Sequence, residues 1–355
     1  MAQSNNHVVI MAGGVGSRFW PMSTQEKPKQ FIDVLGVGRT LIQLTLDRFE
    51  GICPPENVWV VTNKKYAALV HEQLPEVPVG NILQEPCRRN TAPCIAYVSW
   101  RIKTMNPKAN IVVTPSDHMV LNAPEFQRVI MQCLKFTSES DAIVTLGMKA
   151  TRPETGYGYI QADLTTNTLR NKEIFRVDEF KEKPDLQTAI RYIQKNNFFW
   201  NAGIFIWSVE TIVNALRVYA PRINRIFESM QEVYGTPQEQ AVIDERYADC
   251  DNISIDYAIM EKAEEIFVCP ADFGWSDLGT WGSLLLQTKH DMYGNSLIGP
   301  NINVYESKNC IVHTLQEKKV VIQGLDGYIV VEKDGTLLIC KLSEEQRIKQ
   351  FSGEE

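Results

Sequence analysis

The chain has 355 residues, 44% of them hydrophobic and 22% charged, with a formal net charge of −7. That balance suits a globular protein with one large domain and a smaller one. It argues against a general nucleic-acid binder, which carries a basic face, but permits a local cationic pocket for an anionic substrate.

No run of about 18 apolar residues appears, so no membrane span is expected. The N-terminus, Met1-Ala2-Gln3-Ser4-Asn5-Asn6, is polar and uncharged, unlike a secretory signal. The eight cysteines are scattered and lack histidine partners at zinc-site spacing. Several fall in apolar segments, where a free thiol acts as a small hydrophobe. A reduced, cytoplasmic chain is expected.

The first element, Val8-Val9-Ile10-Met11-Ala12, reads as a strand buried on both faces. It feeds a loop, Gly13-Gly14-Val15-Gly16-Ser17-Arg18, followed by Phe19-Trp20-Pro21 and Lys27-Pro28-Lys29-Gln30-Phe31. Glycines let the backbone turn sharply and bring its N–H groups close to a ligand. With Arg18 and Lys29 they make a site for a polyphosphate; the plainer alternative is a tight turn flanked by two surface cations. A dinucleotide fingerprint is excluded because Phe19 stands where its third glycine belongs. A P-loop is excluded because no Gly-Lys-Ser/Thr follows.

Thr40-Leu41-Ile42-Gln43 reads as a capping box opening a helix. Strands are expected at Val58–Thr62, Asn81–Gln84, Asn110–Thr114 and Ala142–Gly147. Helices are expected from Lys65 to Leu74, along the stripe Ile95, Val98, Ile102 and Met105, and from Phe126 to Phe136. This alternation predicts an α/β fold, a Rossmann-like mixed, mainly parallel sheet flanked by helices. Ligands of such sheets sit beyond the carboxyl ends of the strands, where the glycine loop, Glu85 and Asp117 all fall.

Beyond Thr151, strands are expected at Gly156–Ile160, Ile174–Phe180 and Trp200–Trp207. Helices are expected at Asp185–Asn196, Val209–Tyr219, Arg222–Tyr234 and Ser254–Ala263. The segment Ser254-Ile255-Asp256-Tyr257 with Glu261 reads as a cap and an exposed face, without chemistry. Residues 1–289 are expected to form the large α/β domain. Residues 290–355, with short β pieces and a charged helical tail, are expected to form a small separate domain.

The wording Gly-Gly-x-Gly-x-Arg with Pro-Lys-Gln-Phe downstream resembles the nucleoside-triphosphate sugar-1-phosphate nucleotidyltransferases. Arg18-Phe19-Trp20-Pro21 and Lys27-Pro28-Lys29-Gln30-Phe31 are most similar to the bacterial branch that guanylylates mannose 1-phosphate. The resemblance covers residues 7 to 290 and, more loosely, the C-terminal module, which it implies is β-helix-like and used in subunit contacts, so that a homodimer is expected.

On this resemblance Gly13, Gly14, Gly16, Glu85, Asn90 and Asp117 bind the nucleotide. Arg18, Lys29 and Lys183 serve catalysis. Gly156, Glu182, Lys183 and Asn201 bind the sugar phosphate, and Asp117 and Asp277 hold Mg²⁺. The chemistry suits these residue types. A hard divalent cation takes one or two carboxylates plus phosphate oxygens, and one carboxylate on each lobe would let it tie two substrates together. A carboxylate at Glu85 would accept from guanine N1–H and the 2-amino group, an edge adenine lacks. Lysine suits a phosphate, and carboxylate and amide groups suit hydroxyls.

Each residue also has a structural reading. Asp117 and Asp277 would cap turns or helices, Glu85 would pair with Arg88 or Arg89, and Lys183 would lie in a solvated charged run. The implied reaction joins GTP and mannose 1-phosphate, with no nucleic acid or membrane partner. Another sugar 1-phosphate (heptose or fucose) and a silent nucleotide-sugar-sensing subunit are the alternatives. The isomerase module appended in some longer relatives is not expected.

Overall fold

The computed structural model describes residues 4–168, 171–314 and 317–353. The chain falls into two compact units. The first comprises the chain up to Gly13, Leu46–Pro115 and Val120–Trp275; the second comprises Gly14–Thr45, Ser116–Met119 and the chain from Ser276 onward.

The first unit is built on a nine-stranded sheet. Its strands are β1 (Asn6–Ala12), β2 (Val58–Asn63), β3 (Ile82–Glu85), β4 (Asn110–Pro115), β5 (Ile143–Lys149), β6 (Tyr159–Thr168), β7 (Asn171–Lys181), β8 (Phe198–Ser208) and β9 (Ile266–Ala271). Their spatial order is β3-β2-β1-β4-β8-β5-β9-β7-β6. The segment β3-β2-β1-β4 is parallel, with Val9 opposite both Trp59 and Val113. Its apolar β-branched runs are buried on both faces, as helix-covered parallel strands require.

The expectation of a mainly parallel sheet needs correction beyond β4. Strand β8 runs antiparallel to both β4 and β5. Strand β7 runs antiparallel to β9 and β6. Among the described residues, only β5 and β9 add another parallel pair. The sheet is mixed.

Helix α1 (Thr91–Met105) is not the one-sided helix its stripe suggested. Ala92 to Trp100 and Ile102 are buried, whereas Met105 is exposed. The reason is tertiary: the helices Val209–Tyr219 and Pro221–Glu228 pack against its other side. The expected helix Ser254–Ala263 contains instead a π-helical turn, Asp256–Met260, in which Glu261 N–H donates to the Asp256 carbonyl. Such turns are rare and often mark functional sites.

In the second unit, strands Ser296–Ile298, Ile311–Thr314 and Tyr328–Lys333 stack in parallel, and Thr336–Lys341 closes that sheet antiparallel. A second parallel pair joins Ile302–Tyr305 to Val320–Gln323. The pairs Ile302 with Val320 and Ile311 with Ile329 are each eighteen residues apart. One apolar cluster holds Phe19, Val34, Leu278, Trp281, Leu284, Ile311, Ile329 and Ile348. The boundary expected at residue 289 therefore falls inside this unit, because Trp281 and Leu284 share a core with the following strands.

Candidate active site

The glycine loop is pinned from the second unit's own residues. Gly16 has φ 70°, and a Cβ there would lie 2.5 Å from Lys29 Cβ, so both backbone and space require glycine. Lys29 N–H donates to the Val15 carbonyl at 3.0 Å. The Gln30 side-chain amide donates to the Gly14 carbonyl at 2.9 Å, and the Ser23 hydroxyl to the Gly16 carbonyl.

A cleft of about 320 Å³ opens beside this loop, lined by Arg18, Lys29, Asp117, His118, Asp277 and Lys349 among others. Arg18, Lys29, Asp117 and Asp277 come together as the sequence suggested. The picture of one carboxylate per lobe does not hold, since both aspartates belong to the second unit.

Lys29 is only 3% exposed. Its ammonium meets Asp117 Oδ2 at 2.9 Å, the Asp277 carbonyl at 3.0 Å and the Leu278 carbonyl at 2.9 Å. Those three contacts use the three donors a lysine has. Leu278 has φ 45°, a conformation a branched residue adopts only under constraint; the Lys29 contact is part of that constraint.

Burial alone would raise the Asp117 pKa, but the Lys29 and His118 charges outweigh it and hold the carboxyl below its usual value. Asp117 is thus ionised at neutral pH. Asp277 accepts from Gly279 N–H through Oδ1 at 3.0 Å. Arg18 and Lys349 are exposed cations on the same cleft.

The other expected residues lie in the first unit. Glu85, at the end of β3, is buried, and one carboxylate oxygen accepts from the Tyr247 hydroxyl. Burial pushes Glu85 up to about 7, against the lowering effect of the Tyr247 hydrogen bond. The alternative pairing with Arg88 or Arg89 is not seen among the described residues; Arg89 donates to the Ala248 carbonyl instead. A Cβ on Gly13 would stand 3.5 Å from the other Glu85 oxygen, an ordinary contact. Asn90 caps α1, its side-chain oxygen accepting from Thr91 N–H.

A third group gathers around Asn201. Lys183 pairs with Glu182 at 2.9 Å; burial works to lower its pKa, and Glu182 together with Asp256 raises it overall. The Asn201 amide donates to Asp256 Oδ1 at 3.0 Å, and its backbone N–H donates to the Gly158 carbonyl at 2.8 Å. Gly156 does not join this group: its N–H meets Glu154, 3.2 Å away. Gly158 does, and a Cβ there would collide with Glu182 Oε2.

Comparison with known proteins bears on this arrangement. The nucleotidyl transferase family model matches residues 7–292. The alginate biosynthesis protein AlgA of Pseudomonas fluorescens is 35% identical, covering 97% of this chain and 70% of that protein. A mannose-1-phosphate guanylyltransferase of Escherichia coli is 33% identical, covering 97% of this chain and 74% of that protein. The chain belongs to the nucleotidyl transferase family. A crystal structure described as a mannose-1-phosphate geranyltransferase from Thermus thermophilus superposes with a TM-score of 0.87, at 28% identity and 99% coverage of both chains.

Several residues of this nucleotidyl transferase are passed over in the sequence or, like Asp256 and Glu261, read there as a cap and an exposed face without chemistry. Tyr247 and Asp256 meet Glu85 and Asn201 only through tertiary structure, at separations of 162 and 55 residues. Lys349 lies in a tail whose charge pattern reads as solvated surface. Ile348, fully buried beside it, was the available signal that the tail is anchored. Glu261 belongs with them, since it accepts from Glu182 N–H at 3.1 Å.

Proposed function

We infer that this chain transfers GMP from GTP to mannose 1-phosphate, giving GDP-mannose and pyrophosphate. The observation that carries the reading is the single cleft containing the glycine loop, Arg18, Lys29, Asp117 and Asp277. A metal of the Mg²⁺ type suits this donor set. Among the described residues no cluster of three or more His, Cys, Asp or Glu side chains is placed to hold an ion. Two carboxylates in a polar cleft match a hard cation that completes its shell with phosphate oxygens and water. Asp117 and Asp277 would hold it, and it would supply charge neutralisation on the triphosphate.

The sugar phosphate is largely dianionic near neutrality, its second pKa being about 6. It needs alignment more than a base. One of its oxygens bonds to the α-phosphorus of GTP as the bond to the bridging oxygen breaks in line, and pyrophosphate leaves with that electron pair. Arg18 and Lys349 face the developing charge on the leaving group. Lys29 keeps Asp117 ionised and fixes the Asp277–Leu278 turn. Lys183 holds the incoming phosphate, Glu182 and Asn201 the sugar hydroxyls, and Glu85 the guanine edge.

The C-terminal strands are read as a short β-helix-like module, supported by parallel pairings eighteen residues apart at Ile302 with Val320 and Ile311 with Ile329, and fifteen apart at Ser296 with Ile311. Exposed Leu337 and Ile339 on its antiparallel edge strand support a homodimer. Eight free cysteines fit a cytoplasmic setting. No helix among the described residues is long and apolar enough to cross a membrane. A pyrophosphate-release assay across nucleotide and sugar-phosphate pairs tests the reading: GTP with mannose 1-phosphate is expected to be the best pair, and no release with any pair rejects it.

A further inference from the structure

The Asn201 side chain is fixed more completely than a ligand contact alone requires. Its oxygen accepts from Gly203 N–H at 3.0 Å, with the Thr145 hydroxyl 3.1 Å from the same atom. A backbone N–H can only donate, so this contact settles which end of the amide is oxygen. One hydrogen of the amide nitrogen goes to Asp256 Oδ1 at 3.0 Å. Among the described residues nothing accepts the other.

Asp256 opens the π-helical turn Asp256–Met260. That turn is tied to α1 from just before it: Ile255 N–H donates to the Thr91 hydroxyl at 2.8 Å, and Ala92 N–H to the Ile253 carbonyl at 3.1 Å. Just after the turn, Glu261 accepts from Glu182 N–H. One short segment therefore holds both the Asn201 amide and the Glu182 backbone.

We propose that Asp256 is a positioning residue for the sugar. By holding the nitrogen end of Asn201, whose oxygen end Gly203 and Thr145 already fix, it aims the remaining N–H as a donor beside the Glu182 acceptor, and so sets which hexose 1-phosphate epimer is accepted. The proposal rests on the reading of Glu182 and Asn201 as sugar-binding residues. The chemistry is that of a site built to pair specific hydroxyls: an epimer that moves one hydroxyl leaves a buried partner unmatched. Without Asp256 the amide keeps only its oxygen-side contacts to Gly203 and Thr145, so its nitrogen end is free to tilt and the remaining N–H is no longer aimed in one direction at the sugar.

The test compares Asp256→Ala and Asp256→Asn in the pyrophosphate-release assay, with thermal unfolding as a check on folding. In Asp256→Ala the KM for mannose 1-phosphate is expected to rise about tenfold, as for one misplaced hydrogen-bond pair. The KM for GTP should stay within about twofold, and preference over glucose 1-phosphate, the 2-epimer, should shrink. Asp256→Asn keeps a carbonyl that accepts from Asn201 and should restore most of the loss.

An unchanged sugar KM and epimer preference in folded Asp256→Ala overturns the proposal. So does a parallel rise in both KM values that Asp256→Asn does not rescue, which is the mark of a structural role alone. If the alanine variant does not fold, Asp256→Ser serves, its hydroxyl being too short to reach Asn201. Wild-type turnover on a different sugar 1-phosphate, and none on mannose 1-phosphate, overturns the substrate reading alone; the same KM comparison is then made on that sugar.

Discussion

The cleft of the second unit and the Glu85 and Asn201 groups of the first use carboxylates in opposite ways. In the cleft, Asp117 has a lysine at 2.9 Å and its pKa falls. In the first unit, burial dominates: Asp256 is pushed up to about 6, with the Glu182 charge adding to the effect, and Glu85 to about 7. The same side-chain chemistry is thus tuned for a cation in one place and for hydrogen bonding in the other. A phosphate site needs fixed charge. A site for hydroxyls and a base edge needs oriented dipoles.

The sharpest way to break this contrast is to remove charge from the cleft. Asp277→Ala should lower turnover by about 100-fold or more, the scale of a lost electrostatic group at a developing charge, with little change in thermal unfolding. Lys29→Ala should lose turnover similarly and also stability. It strands Asp117 and the Asp277 and Leu278 carbonyls, costing on the order of 1–3 kcal/mol. Steady-state kinetics and denaturant unfolding measure both. Near-wild-type turnover in either variant would sink the role given to the cleft.

That cleft was the more legible of the two regions, and the reason is local. The glycine loop, Arg18 and Lys29 lie within a short stretch, and Asp117 and Asp277 stand in compact motifs. The parallel strands β1 to β4 were equally plain, since strands covered on both faces read as continuous apolar runs. What could not be read depends on contacts far apart in sequence. The antiparallel β8 looks like any other buried strand until its neighbours β4 and β5 are known. Asp256 reads as part of an exposed face, and nothing nearby in sequence ties Tyr247 to Glu85, until the chain brings Asn201 and Glu85 to them. Lys29 was read as a phosphate ligand because sequence shows its charge and not its three occupied donors.

Glycine substitutions probe the other region with a smaller effect. In Gly158→Ala the new methyl would collide with Glu182 Oε2 and press on Asn201. Glu182 must swing away, so the KM for the sugar phosphate should rise roughly tenfold. Gly156→Ala meets only the end of the flexible Glu154 side chain at 3.3 Å and should be near neutral. Equal effects at the two positions would show that the Asn201 group is not where the sugar binds.

Stability against pH tests the opposite tuning directly. Glu85 rises from 4.5 to about 7 on folding, so between those values the folded state holds a proton that the unfolded state has lost. Wild-type stability therefore falls as pH rises through that window. Glu85→Gln removes the titration. Relative to wild type it should gain on the order of 3 kcal/mol by pH 8 and nothing below pH 4.5. Asp117→Asn should show the reverse sign: because folding lowers that pKa, the ionised pair contributes stability above the usual carboxylate range, and this is lost as pH falls through the folded value. Denaturant midpoints at several pH values decide it, and parallel curves for both variants would erase the contrast. On the base-reading side, Glu85→Gln should also weaken the preference for GTP over ATP.

The smallest effect is expected at Lys349, where the cleft borrows a cation from the C-terminal tail. The helix Ile348–Ser352 is held by Ile348, which is buried in the cluster containing Phe19 and Trp281, and by Glu345, which accepts from Gly282 N–H at 2.7 Å. That anchoring presents an otherwise ordinary surface lysine to the cleft that Arg18 lines. Because the side chain is exposed, Lys349→Ala should leave unfolding unchanged. Its charge acts through solvent, so the loss should be only about two- to fivefold in the KM for GTP and in the affinity for pyrophosphate, fading as salt is raised past the Debye screening regime. Calorimetric titration of pyrophosphate at low and high ionic strength separates the two cases. Wild-type affinity at low salt would return Lys349 to the solvated surface and leave Arg18 as the exposed cation of the cleft among the described residues.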